Sequence, residues 1–125
     1  MFLLDTHVLI WALEGNESKL KHSFFQLISD KKNVIYVSVV SYWEIIIKSA
    51  LGKLVAPDDL VEQVSHLSLI WLNVELLHLE ALKQLPPIHT DPFDRLLFAQ
   101  SKATGLTFLT HDSIVKQYHI NYRLP

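Results

Sequence analysis

Four short apolar runs constrain this chain more than any other feature. They are Phe2-Leu3-Leu4, Val34-Ile35-Tyr36-Val37-Ser38, Leu69-Ile70-Trp71-Leu72 and Thr107-Phe108-Leu109-Thr110. Each has the length and composition of a buried strand. Stretches with helical spacing separate them. Residues 6–13 follow the first run without a turn signal, and Gly15-Asn16 breaks them. Leu20, Phe24, Leu27 and Ile28 mark a helix over 18–29, and Lys31-Lys32-Asn33 a turn. Ser41-Tyr42-Trp43-Glu44 has the form of a capping box that opens a helix ending near Gly52. Further helices are expected over 58–67, behind Pro57, and over 75–85. Asp112 or Ser113 can cap a short last helix through 118, and a final strand fits 121–124. Alternating strands and helices imply a parallel sheet covered on both faces. The expected fold is α/β: a three-layer sandwich with a central parallel sheet of four to five strands flanked by helices. With no linker-like stretch, residues 1–125 are expected to form a single domain.

The stretch His89-Thr90-Asp91-Pro92-Phe93-Asp94-Arg95 leads into another helix. Pro86 and Pro87 end the preceding segment, and Pro92 restricts Asp91 to an extended conformation. Leu96, Leu97, Ala99, Ala103 and Leu106 then supply an apolar face, with Gly105 as the stop. Asp94 falls in the first turn, where unpaired N–H groups and the helix dipole favour negative charge.

Composition excludes several classes. The chain has 125 residues, 50% of them hydrophobic. Its mean hydropathy of +0.22 is high for so small a domain. No apolar run reaches the roughly 18 residues needed to span a membrane. Met1-Phe2-Leu3-Leu4-Asp5 has no basic residue and meets an acid too early for a signal peptide. The apolar surplus is therefore expected at an interface with another chain. The helix over 42–51, apolar at the consecutive positions Ile45-Ile46-Ile47, is a candidate for coverage by both core and partner. Absence of cysteine excludes disulfides and thiolate metal sites, and fits a cytoplasmic protein. A net charge of −2 argues against broad electrostatic binding of nucleic acid but leaves room for a local site.

Four acids fall on one edge of the expected sheet. Asp5 ends the first strand, Glu44 lies in the helix after the second, Asp94 begins the helix before the fourth, and Asp112 follows the fourth. The carboxyl ends of strands are where open α/β sheets bind ligands. Four converging carboxylates repel one another, and such oxygen-rich sites suit Mg²⁺ or Mn²⁺. A metal held there can activate water and stabilise charge on a phosphodiester, so hydrolysis of that bond is the chemistry best served. No Ser or Cys nucleophile motif competes, and three glycines make no phosphate-cradling loop. Each acid also has a plainer reading. Glu44 alone reads equally well as a capping-box acid paired with Lys48, Asp112 as an N-cap, and Asp91 and Asp94 as cap and first-turn acids. Asp5 is the hardest to explain that way, because an acid that ends a hydrophobic strand needs a partner.

Taken together, Asp5-Thr6, Ser38 with Glu44, the stretch from His89 to Arg95 and Leu109-Thr110-His111-Asp112 resemble the PIN domain. More narrowly they resemble the VapC-type ribonuclease toxins of bacterial toxin–antitoxin systems. The resemblance covers nearly the whole chain in order. It implies that Asp5, Glu44, Asp94 and Asp112 form a catalytic quartet holding Mg²⁺ or Mn²⁺, with Thr110 as the accompanying hydroxyl. Thr6, Asp91 and Arg95 would play supporting roles. It further implies RNA cleavage by metal-activated water, a homodimer, and inhibition by an antitoxin that wraps the toxin and pushes a side chain toward the acidic pocket.

Three rival readings remain at this level: a receiver-like Mg²⁺-binding signalling domain, a metal nuclease acting on DNA, and a catalytically silent binding partner. A receiver pattern pairs acids after the first strand and places an Asp after the third. Here Asp5 has no acidic neighbour, and Asn73 and Val74 follow the third run. Arg95 can contact phosphate or neutralise Asp91. His7, His89 and His111 lie near the edge as candidate surface or supporting groups. Trp11, Trp43 and Trp71 read as core or interface aromatics. Lys48, Lys53 and Lys102 read first as solvated surface charge, with an RNA path as the alternative.

Overall fold

A computed structural model describes residues 1–125. Five strands form one parallel sheet in the order β3-β2-β1-β4-β5. They are β1 (Phe2–Leu4), β2 (Ile35–Ser38), β3 (Ile70–Leu72), β4 (Thr107–Leu109) and β5 (Tyr122–Arg123). Six α-helices connect them: α1 (Thr6–Glu14), α2 (His22–Ser29), α3 (Val39–Ala50), α4 (Leu60–His66), α5 (Leu76–Lys83) and α6 (Pro92–Thr104). The expected α/β sandwich with a parallel sheet is what forms. The segment Ser113–Gln117 is a 3₁₀ turn, tighter than the helix the sequence led us to expect. No helix is long and apolar enough to cross a membrane.

The apolar runs of β1, β2 and β4 are continuous because these inner strands are covered on both faces, whereas the edge strands β3 and β5 are partly exposed. Leu4 and Leu109 point into a core with Val8, Leu9, Phe24, Val37 and Val64. Their neighbours Leu3 and Phe108 point to the other side, against Leu97, Phe98, Ala99 and Tyr118. One-residue alternation along β1 and β4 thus feeds two cores. Each fully buried Leu or Phe contributes roughly 1.5–3 kcal/mol.

The elements that carry the acids are capped. Asp91 opens α6 by accepting the N–H groups of Phe93 (2.8 Å) and Asp94 (3.2 Å), with Pro92 in the first turn. Gly105 closes it in the left-handed region at φ 75°, where a side chain would be strained. Asp112 caps the 3₁₀ turn through the Ile114 N–H.

One local reading is corrected. Ser41 does not open a capping box. β2 runs into α3 without a loop, and Ser38 is at once the last residue of the strand and the N-cap, its Oγ accepting the Val40 N–H. The β-branched pair Val39-Val40 looks like strand continuation but forms the first turn of the helix. Glu44 therefore sits in the second turn of α3, not the first, and its side chain turns inward. Two helices also start later than their spacing implied: α2 at His22, not near residue 18, and α4 at Leu60, not near 58.

A carboxylate edge at the switch point of the sheet

In a parallel sheet all strands end on one side. The chain leaves β1 toward β2, while β4 returns on β1's other flank, so the order reverses between β1 and β4. Ligands of open α/β sheets bind at the carboxyl ends of strands beside such a reversal. Asp5 and Thr110 stand there, each one residue beyond its strand. The register that pairs Leu4 with Leu109 brings them together, and the Thr110 hydroxyl donates to Asp5 Oδ2 at 2.6 Å. The same Thr110 oxygen accepts the Asp112 N–H at 3.0 Å, which ties the turn carrying Asp112 to β4.

Glu44 reaches the edge from α3. It is 2% exposed, and its Oε1 lies 2.7 Å from the Thr6 hydroxyl, itself within 2.9 Å of Ser41 Oγ. Its Oε2 forms an ion pair with Lys48, one helical turn on. The same ammonium lies 3.6 Å from Asp91 Oδ2 and over the Phe93 ring. Asp94 comes from the first turn of α6 and meets His89 Nε2 at 2.8 Å. That nitrogen is 3.9 Å from Asp112 Oδ2, so one imidazole lies between two carboxylates. His89 Nδ1 accepts the Asp91 N–H at 3.4 Å, which puts the ring proton on Nε2, facing Asp94.

α6 is held in place by a buried polar chain. Ser38 Oγ donates to Gln100 Oε1 at 2.5 Å, and Gln100 Nε2 reaches the Asn73 carbonyl at 3.3 Å. These bonds tie α6 to β2 and to the end of β3, behind the acids.

The electrostatics record the crowding. Asp94 is pushed up to about 7, first by burial and then by the charges of Asp5, Asp91 and Glu44, against the opposing effect of His89. Asp5 is also raised, mainly by burial, although the Thr110 hydrogen bond, His7 and the Thr6 N–H oppose it and Glu44 adds to it. Lys48 is raised despite its desolvation, because Glu44, Asp91 and Asp94 surround it.

The structure thus brings Asp5, Glu44, Asp94 and Asp112 to one edge, with Thr6, Asp91 and Thr110 among them. Arg95 is elsewhere: its guanidinium donates to the Pro86 carbonyl at 2.9 Å and makes no ion pair with Asp91. His111 faces away, its ring edge-on to Trp11 and Phe24. Burial and the charge of Lys21 lower its pKa. Trp43 is 53% exposed and packs edge-on to Phe93 beside the acids. Two close participants, Lys48 and His89, were read from the sequence only as an ion-pair or surface charge and as a surface or supporting group. Lys48 was legible as the residue four after Glu44, whereas His89 reaches Asp94 across the Pro92 turn, where no helical or strand period applies.

Ligand atoms of His89, Asp94 and Asp112 lie within 4.8 Å of one another, as do those of Glu44, Asp91 and Asp94. Oxygen-dominated sets of this size fit a hard divalent cation, and the raised Asp94 shows the repulsion such a cation would relieve.

No curated protein matches the sequence. Among solved structures, the fold is similar to VapBC2 from Rickettsia felis bound to a DNA fragment from its promoter. The TM-score is 0.73 at 14% identity, over 98% of this chain and 97% of that one. It is also similar to DNA-bound VapBC from Salmonella typhimurium, with a TM-score of 0.70 at 19% identity over 98% and 96% of the two chains. A domain of a functionally unknown protein from Methanocaldococcus jannaschii DSM 2661 follows at 0.58 and 15%, over 99% and 89%. At these identities the likeness is one of fold. The PIN domain family itself matches residues 2–120, nearly the whole sequence, and the chain belongs to that family.

Proposed function

We propose that this chain is a metal-dependent endoribonuclease of the VapC type. In this reading residues 1–125 form one PIN domain that acts in the cytoplasm as the toxin of a toxin–antitoxin pair. The observation that carries the chemistry is the convergence of Asp5, Glu44, Asp94 and Asp112 at the switch point, with Asp94 held near 7 by burial and its acidic neighbours. Membership in the PIN family and the likeness in fold to VapBC assemblies support the biological role.

Mg²⁺ or Mn²⁺ bound among these carboxylates would lower the pKa of a water and neutralise charge on the phosphodiester. In the hydrolysis, the water oxygen bonds to phosphorus, the ester P–O bond breaks, and the departing oxygen takes a proton. The protein's part is to hold the acids in place. Thr110 fixes Asp5 and the Asp112 turn, Asp91 fixes the start of α6, and His89 orients Asp94. Asp5 and Glu44 are buried, and the largely exposed Asp112 marks the open side from which a strand of RNA can approach.

Trp43 and Ile46 on α3 are each 53% exposed, Leu51 just past its end is 63% exposed, and Leu76 and Leu77 on α5 are also largely exposed. Apolar surface of this kind supports protein partners: a second copy of the chain and an antitoxin.

The purified protein is expected to cleave RNA in Mg²⁺ or Mn²⁺, to stop in EDTA, and to leave DNA of matched sequence intact. Expression alone should arrest growth, and a co-expressed antitoxin should restore it. Undiminished cleavage in EDTA would overturn the metal chemistry. Equal cleavage of DNA would shift the reading to a deoxyribonuclease.

A further inference from the structure

The acidic edge contains two cation-sized groups of ligand atoms that share Asp94. One is His89, Asp94 and Asp112, and the other is Glu44, Asp91 and Asp94. A carboxylate shared between two such groups is the arrangement expected of a two-metal site. Here the second group already surrounds a positive charge.

We propose that Lys48 is a built-in counter-cation of this edge. Its ammonium takes the Glu44–Asp91 half, so the site accepts a single divalent cation, on the side of Asp94 and Asp112. Lys48 supplies the second positive charge that faces the substrate phosphate. The inference deepens the nuclease reading and rests on it.

Three observations carry it. First, Lys48 Nζ is paired with Glu44 Oε2 and stands 3.6 Å from Asp91 Oδ2, inside the space a second cation would need. Second, the arrangement is locked from both sides. The other oxygen of Glu44 is engaged by the Thr6 hydroxyl at 2.7 Å, and the residue is buried. Asp91 spends one oxygen on the N–H groups that open α6, leaving Oδ2 for the lysine. The ammonium also lies 5.7 Å from the centroid of the Phe93 ring, a favourable cation–π position. Displacing it would strand a buried carboxylate, which is strongly destabilising. Third, the lysine side chain is 27% exposed, so its charge is available to a ligand at the edge. The other half has no such resident charge. Asp5 and Asp112 lie outside the lysine's ion pairs, and no lysine or arginine pairs with Asp94, whose carboxylate meets His89 Nε2. The role of Lys48 is electrostatic, and no bond to it forms or breaks.

The test is a calorimetric titration of the full chain with Mn²⁺ at pH 8, without RNA. Wild type should bind one ion per chain, Lys48→Met two, and Lys48→Arg one, because it restores the charge. Lys48→Gln serves as a second neutral variant should methionine disturb the fold, and it too should bind two. Two ions in wild type, or one ion in both neutral variants, would overturn the inference and leave the nuclease reading standing. No ion in wild type would overturn the metal-dependent reading and the inference together.

Discussion

Replacing Asp94 with asparagine separates a site that stores repulsion from a set of ordinary helix caps. In the folded, metal-free protein Asp94 holds its proton up to about pH 7, against 3.8 for an unperturbed aspartate. Between those values the folded state carries a proton that the unfolded chain has lost. Stability therefore falls as pH rises through that window and is flat above it. A shift of that size corresponds to at most about 4 kcal/mol. Asp94→Asn removes this penalty. It forfeits a first-turn charge, about 0.3–1 kcal/mol, and weakens the bond to His89 by about 1 kcal/mol. At pH 8 in EDTA the variant should be more stable than wild type by about 2 kcal/mol, or roughly 8 °C in Tm for a chain of this length. At pH 4, where wild type is already protonated, the gain should vanish or reverse. Mn²⁺ at a hundredfold excess over its dissociation constant should then stabilise wild type by about 2.7 kcal/mol and the variant by little. Thermal melts of both proteins at pH 4 and pH 8, with EDTA and with Mn²⁺, provide the comparison. A variant less stable than wild type at pH 8 in EDTA, with wild type indifferent to Mn²⁺, would refute the reasoning.

Two further perturbations test the frame around the site. Asp91→Ala should cost about 1 kcal/mol because two N–H groups of α6 lose their acceptor, whereas Asp91→Ser should recover most of it in the same denaturant titration. Wild type should scatter light as twice the 14.4 kDa chain, and Ile46→Glu, at an exposed position on α3, should scatter as one chain without losing its fold by circular dichroism.

The acids were legible in the sequence because their positions follow from rules that need no tertiary knowledge. Asp5 and Asp112 come just after apolar runs, and a parallel sheet sends the ends of all such runs to one side. Asp94 follows Pro92 at the start of a periodic segment, and its place in the first turn of α6 is as expected. What was not legible depends on reach between elements far apart in the chain. Nothing in Ser38 or Gln100 alone announces the bond between them that seats α6 on β2. The start of α3 was misplaced because Val39-Val40 has strand propensity, and tertiary context overrides propensity where a strand runs straight into a helix. Arg95 lay within the most informative stretch, yet it turned to the Pro86 carbonyl. A charge's place in the sequence fixes its helix face, but not which of several acceptors its long side chain will reach.

The architecture also explains how the chain tolerates such an edge. Five carboxylates, Asp5, Glu44, Asp91, Asp94 and Asp112, meet where the sheet's twin cores end. Each has a fixed partner: Asp5 has Thr110 beyond β4, Glu44 has Thr6 in the first turn of α1, Asp91 has the opening turn of α6, Asp94 has His89, and Asp112 has the Ile114 N–H. The frame can impose these positions because its apolar residues are buried on both faces of the sheet, and that burial outweighs a few kcal/mol of repulsion. The repulsion is unevenly relieved. Lys48 offsets the Glu44–Asp91 side at every ordinary pH, while the Asp5–Asp94–Asp112 side depends on a proton held by Asp94 or, in the proposed function, on a bound cation. Raising the pH removes the first of these alternatives and leaves only the second. Metal affinity and metal-free instability should therefore grow together between about pH 4 and pH 7 and level off above it, since both express the loss of the same proton.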